Sequence, residues 1–114
     1  MLVISRAMGD AIVVDNDTVI KVLEIRSERV RLEIANPRGP IHRDRDAFEV
    51  CSATTSRVVL SCEKHDRFTM RAGVIVSVFD IRADKVRLAI SCPKHVSVHR
   101  NEVYEALWPH GKAT

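Results

Sequence analysis

A mostly β fold made of two like halves is what the sequence predicts, and two observations carry the prediction. The first is an internal repeat: Val22 to Ile34 reads Val-Leu-Glu-Ile-Arg-Ser-Glu-Arg-Val-Arg-Leu-Glu-Ile, and Val78 to Ile90 answers with Val-Phe-Asp-Ile-Arg-Ala-Asp-Lys-Val-Arg-Leu-Ala-Ile, about 56 residues later. The second is alternation with a period of two, which dominates both copies and marks half-buried strands. A unit of about fifty residues rarely stabilises a core without disulfides, metal or a partner, so the halves are expected to supply one joint core.

The elements follow in order. A strand-like run opens the chain at Leu2 to Ile4, and a short strand falls near Ala11 to Val14. Asp15-Asn16-Asp17 is a turn signal, because Asn and Asp bond nearby backbone and tolerate left-handed conformations. Thr18 to Arg26 is rich in β-branched residues, and Ser27-Glu28 turns it into a hairpin with Arg29 to Ile34, where Val30, Leu32 and Ile34 share a face. In the second half Ala83-Asp84 makes the same hairpin, with Val86, Leu88 and Ile90 inward. Asn36-Pro37-Arg38-Gly39-Pro40 and Cys92-Pro93-Lys94 close the fourth strand of each half, and a fifth strand is expected at Val96 to His99. Asn101 can cap a short helix from Glu102 to about Trp108, stopped by Pro109 and Gly111, and Asp44 or Asp46 can cap one through Phe48 to Cys51. Each half thus reads as five strands and a terminal helix: residues 1–51, a connector at 52–56, residues 57–108, and a tail at 109–114.

Composition narrows the function classes. The 114 residues fit a single compact domain, with 18 Lys plus Arg against 15 Asp plus Glu, a balance that permits a polyanionic partner without demanding one. Cys51, Cys62 and Cys92 lack any C-x-x-C spacing, so free thiols are expected and no zinc pattern emerges. No charged-then-apolar leader and no membrane-length apolar run is present, which predicts a cytoplasmic protein. Asp44 and Asp46 near His42, and Cys62 near His65, lack an oriented third group, so neither catalysis nor a cofactor is expected.

At the strand ends the residues resemble the carbon storage regulator (CsrA/RsmA) family. The first half carries Met1-Leu2-Val3-Ile4-Ser5-Arg6 with Gly9-Asp10 behind it; the second carries Val86-Arg87-Leu88, Pro93-Lys94 and Val96-Ser97-Val98-His99-Arg100 with Glu102 and Tyr104. The resemblance implies two intertwined units forming a pseudo-dimeric β-sandwich or barrel, as a single-chain pseudo-dimer or a swapped homodimer. It implies GGA-containing mRNA or small RNA as the partner, translational repression as the outcome, and a FliW-like protein as a possible antagonist. One composite RNA site would join Ile4, Ser5 and Arg6 to Pro93, Lys94, Val98, His99 and Arg100. A second, degenerate site would join Leu60, Ser61 and Cys62 to Arg38, Ile41, His42 and Arg43. Cys62-Glu63 replaces the arginine-containing opening, His65 replaces the turn glycine, and the first half's His-Arg pair is displaced by one residue relative to the ungapped repeat, which threatens to turn its side chains over.

Alternation is also expected to place Leu2, Ile4 and Arg6 together on one face, and Val96, Val98 and Arg100 on another, as an apolar shelf edged by guanidinium groups across adjacent strands. With aromatic residues at only 4%, recognition is expected to rest on backbone and arginine rather than on base stacking. On spacing alone Arg6 and Arg100 read as solvated strand ends, a reading that the resemblance reverses, while His99 reads as a packed strand histidine and Tyr104 and Trp108 as helix anchors. The alternative function is a protein-interaction module of the same fold whose RNA surface has decayed.

Overall fold

The computed structural model describes residues 2–36, 41–43, 48–49, 57–70 and 73–100, the residues 48, 49 and 100 by their backbone alone. The first half contributes β1 (Leu2–Ala7), β2 (Ala11–Val14), β3 (Thr18–Ile25), β4 (Arg29–Ala35), β5 (His42–Arg43) and β6 (Phe48–Glu49). The second contributes β7 (Arg57–Glu63), β8 (Arg67–Thr69), β9 (Ile75–Ile81), β10 (Lys85–Ser91) and β11 (Val98–Arg100). They form two antiparallel sheets, one ordered β1-β10-β9-β8-β5-β6 and the other β11-β2-β3-β4-β7. No described helix is long and apolar enough to cross a membrane.

The halves exchange strands. The second half's β8, β9 and β10 are flanked by β5 and β1 of the first, and the first half's β2, β3 and β4 are flanked by β11 and β7 of the second. Replacing each strand by its repeat counterpart converts one five-strand order into the other, so the molecule has a pseudo-twofold relation between sheets. The inward faces are the ones alternation predicts: Val30, Leu32 and Ile34 on β4 and Val86, Leu88 and Ile90 on β10 are buried, and a single apolar cluster unites them with Ile12, Ile20, Phe68 and Val76. Burial of each such side chain contributes about 1.5–3 kcal/mol, and much of it is available only while both halves are in place.

Local chemistry repeats as faithfully. Arg26 and Arg82 each donate a backbone hydrogen bond of 2.7 Å across the expected hairpin turns, to Arg29 and Lys85 respectively. Both hairpins carry a bulge, at Leu23 between Val22 and Glu24 and at Phe79 opposite the Arg87/Leu88 step. In the turn after β1, the Gly9 amide donates to the Val22 carbonyl (2.7 Å) and the Val22 amide to the Asp10 carbonyl (2.9 Å). After β7 the His65 amide donates to Val78 (2.8 Å) and the Val78 amide to Asp66 (2.9 Å). The aspartates close the turns alike, Asp10 accepting from the Ala7 amide at 3.1 Å and Asp66 from the Glu63 amide at 2.8 Å. Losing the glycine therefore leaves the turn intact, with His65 held at φ +75° where Gly9 has +90°.

Four expectations are corrected. Phe48–Glu49 is a strand paired to β5, not part of a helix capped by Asp44 or Asp46, because β5 offers its outer edge there. The second half's fifth strand begins at Val98 rather than Val96, whose side chain is buried in the preceding loop. The displaced His-Arg pair is in register: His42 and Arg43 stand opposite Thr69 and Phe68, as His99 and Arg100 stand opposite the equivalent Val13 and Ile12. The one-residue difference thus falls before the strand, the step from Ala35 to His42 being one residue shorter than that from Ser91 to His99, a change in connection length of small cost. Finally, β1 and β11 are not ladder neighbours but lie in different sheets. The helix expected at 102–108, the connector at 52–56, and Arg38, Gly39 and Pro40 lie outside the described residues.

Candidate nucleic-acid interface

At one composite region the parts are β1, β11 and the loop between β10 and β11. β1 pairs only with β10 and β11 only with β2, the strand into which β1 turns, so each leaves one backbone edge unpaired among the described strands. Leu2, Val3 and Ser5 are exposed on β1. Ile4 and Arg6 point inward, so the expected shelf of Leu2, Ile4 and Arg6 does not form as one open face. Arg6 is 6% exposed. Its Nε donates to the Ser5 carbonyl at 2.9 Å and its Nη1 to the Ala11 carbonyl at 3.3 Å, which is how a guanidinium is tolerated beside the core.

The loop preceding β11 is held from both halves. The Val96 amide donates to the Pro93 carbonyl (3.1 Å), and the Asp15 amide of the first half donates to the Ser97 carbonyl (2.7 Å). Pro93 sits over Gly73, where an added Cβ would stand 3.5 Å from its ring and where φ is +75°. Lys94 and His95 are exposed on this braced loop, while Val98 and His99 are half-buried on β11. Arg100 occupies the ladder position opposite Ile12.

The counterpart region is built on β7, β5 and the loop before β5. Leu60, Cys62 and Ile41 are buried, while Ser61 and His42 are exposed. Cys62 fills the inward position of Arg6, so the guanidinium anchor is lost there. The Arg43 Nη1 donates to the Ser61 carbonyl at 2.8 Å, a direct bridge between the first half's fifth strand and the second half's first strand across the two sheets. By the pseudo-twofold relation, β1 and β11 occupy the matching positions at the other region.

Electrostatics separates the two regions, a signal that motif reading missed. On the face of β4 and β7, Arg29 pairs with Glu63 (3.4 Å) and Arg57 with Glu33 (3.9 Å), while Arg31 reaches Glu24 (3.6 Å). On β10 the matching positions hold Lys85 and Arg87, opposite Ala7 and Ser5 of β1, both exposed and with no carboxylate at ion-pair distance among the described residues. The difference is readable in retrospect, since Arg29-x-Arg31-x-Glu33 becomes Lys85-x-Arg87-x-Ala89. Beyond the end of β7, Asp80 meets Arg82 (2.8 Å) and Lys64 (3.6 Å). Its carboxyl is held below the usual range by the hydrogen bond from Arg82, against partial desolvation, with the charges of Arg82 and Lys64 adding to the lowering. Among the described residues no group of three or more His, Cys, Asp or Glu is placed to hold a metal.

Two duplicated units that trade their first and fifth strands define a tandem pseudo-dimer of small antiparallel β units. The sequence pattern of the Global regulator protein family, CsrA, matches twice, at residues 1–51 and 58–108. The chain belongs to the CsrA family, as a tandem duplication. Among curated relatives, the translational regulator CsrA of Rhodopirellula baltica is 39% identical over 56 residues, covering 49% of this chain and 80% of the relative. The same-named protein of Shouchella clausii is 38% identical over 55 residues (48% of this chain, 70% of the relative). That of Bacillus subtilis is 36% identical over 47 residues (41% and 64%). No solved structure gives a significant match.

Proposed function

We propose that this chain is a cytoplasmic, RNA-binding post-transcriptional regulator that holds GGA-containing mRNA or small RNA across β1 and β11 and represses translation by covering the ribosome-binding region. The units are residues 1–51 and 57–108, joined by the connector at 52–56. Relatives named as translational regulators support the general reading. The observation that carries the choice of site is that Lys85 and Arg87, beside the open edge of β1, make no ion pair among the described residues, although Asp80 stands opposite Arg87, against the salt-bridged face beside β7.

In this reading unstacked bases meet the backbone edges of Ile4, Ser5, Val98 and His99, while Arg100 supplies a planar donor fork and Lys94 a phosphate contact. Arg6 works from within, tying the end of β1 to the start of β2 through the Ala11 carbonyl while also bonding the Ser5 carbonyl. Pro93 sets the loop that carries Lys94. The site of Leu60, Ser61, Cys62, Arg38, Ile41, His42 and Arg43 is degenerate, and a FliW-like protein antagonist remains a partner to test.

Titration of the chain with a GGA hairpin and with a scrambled hairpin, at two salt concentrations, tests the proposal. One GGA hairpin binds per chain, more weakly at higher salt, and Arg100→Ala lowers affinity by about 1 to 3 kcal/mol. Absence of GGA-dependent binding refutes it and favours the protein-interaction module; two equivalent hairpins refute the asymmetry.

A further inference from the structure

The backbone of the second site is better preserved than its sequence suggests, and one difference lies in the backbone itself. His42 and Arg43 hold the same ladder positions as His99 and Arg100. β7 pairs with β4 as β1 pairs with β10, Ser61 opposite Arg31 and Ser5 opposite Arg87. Arg43 already spans the two sheets to Ser61. Both strands of the site are therefore formed, aligned and adjoining.

Yet β5 has neighbours on both sides. β8 pairs along one edge, and β6 pairs antiparallel along the other, Glu49 opposite His42 and Phe48 opposite Arg43. β11 is the outermost strand of its sheet among the described residues. A strand edge presents one row of N–H and C=O groups, and that row can be satisfied once: by another strand or by the edges of unstacked bases.

The geometry points to β6 as a strap in cis that occupies the RNA-reading edge of the second site, leaving a latent second site for the same class of ligand, single-stranded GGA-containing RNA. This inference rests on the function proposed above and adds what limits the stoichiometry: competition by the chain's own backbone, rather than the change from Arg6 to Cys62 or a register error. Two residues of pairing make a short strap, since isolated pairing of that length has little stability of its own. Two substitutions are therefore enough to release it.

The test is the number of GGA hairpins bound per full-length chain, counted by native mass spectrometry and by calorimetry. F48P/E49P removes two backbone donors from the strap, and F48G/E49G weakens it without introducing a ring; circular dichroism checks that each keeps the sheet content. One hairpin on the unaltered chain and two on a folded strap variant supports the inference. One hairpin on both overturns it while leaving the proposed function standing, and none on the unaltered chain overturns both. Two on the unaltered chain overturns the strap, because the edge is then not occluded. Hydrogen exchange on the unaltered chain gives a readout independent of any variant: the amides of the 48–49 segment stay protected with one hairpin bound, and free exchange there in the absence of RNA overturns the strap.

Discussion

His65 offers a measurement in which the molecule supplies its own control. It holds φ +75° in a turn whose twin carries Gly9 at +90°, with the same backbone hydrogen bonds to Val78 and Val22 and the same closing aspartate. A left-handed conformation costs a residue with a Cβ about 1–2 kcal/mol, and glycine returns about 0.5–1 kcal/mol of that through its freer unfolded chain. His65→Gly should therefore stabilise the fold by about 0.5–1 kcal/mol and raise Tm by about 2–4 °C. Urea unfolding followed by circular dichroism reads it, with an unchanged denaturant slope showing that the unfolded state is not what moved. The reciprocal Gly9→His should cost about the same amount, because a Cβ at Gly9 meets no atom within 4 Å and only the backbone penalty remains. A His65→Gly protein less stable than its parent would refute the reasoning, since the imidazole would then be making an interaction worth more than the backbone strain.

The other predictions rest on separate contacts. Arg6→Ala removes two charge-assisted hydrogen bonds to backbone carbonyls and leaves a void, costing about 2–4 kcal/mol, while Arg6→Met keeps the stem and recovers part of the loss. Denaturation of both variants checks it; Arg6→Ala as stable as wild type would show that the guanidinium is not an anchor. Lys94 is exposed, so Lys94→Ala should reduce the slope of log affinity against log salt by about 0.7 if it meets one phosphate of single-stranded RNA, and an unchanged slope removes it from the interface. Asp80 has a folded pKa below its ordinary 3.8, so its ionised form favours the native state above that value, and the contribution is lost as pH falls below it and through the folded pKa. Asp80→Asn should flatten the acid limb of the stability curve, and an acid limb identical to wild type counts against the Arg82 contact as its source.

Much of this architecture was legible in the residues, because a period of two says which positions share a face and a repeat says which strands are counterparts. Val30-x-Leu32-x-Ile34 and Val86-x-Leu88-x-Ile90 are core faces, and Ser27-Glu28 and Ala83-Asp84 are hairpin turns. Alternation does not say which face is inward when a charge interrupts it. Arg6 looked like a solvent-facing residue, but two backbone carbonyls within its reach make burial possible, and no spacing rule encodes that. Register was illegible for a related reason: counting along the chain assigns the one-residue shortening to the strand at His42, whereas the ladder places it before the strand. At Phe48–Glu49 the pairing partner is distant in space from any local signal, so two residues with no strand pattern of their own take strand form from the edge of β5. The composite site was legible as a list of residues; the division of β1 and β11 between two sheets is a matter of topology that local sequence does not record.

Because the first and fifth strands change places within a single polypeptide, union of the two lobes does not depend on protein concentration, and dilution that would dissociate a pair of separate subunits leaves this pairing closed. Covalent union also lifts the constraint of identity. In a homodimer any substitution appears on both sides of the axis, whereas here Arg6 and Cys62, or Ala89 and Glu33, coexist at matching positions, so the two lobes can differ in chemistry on one backbone.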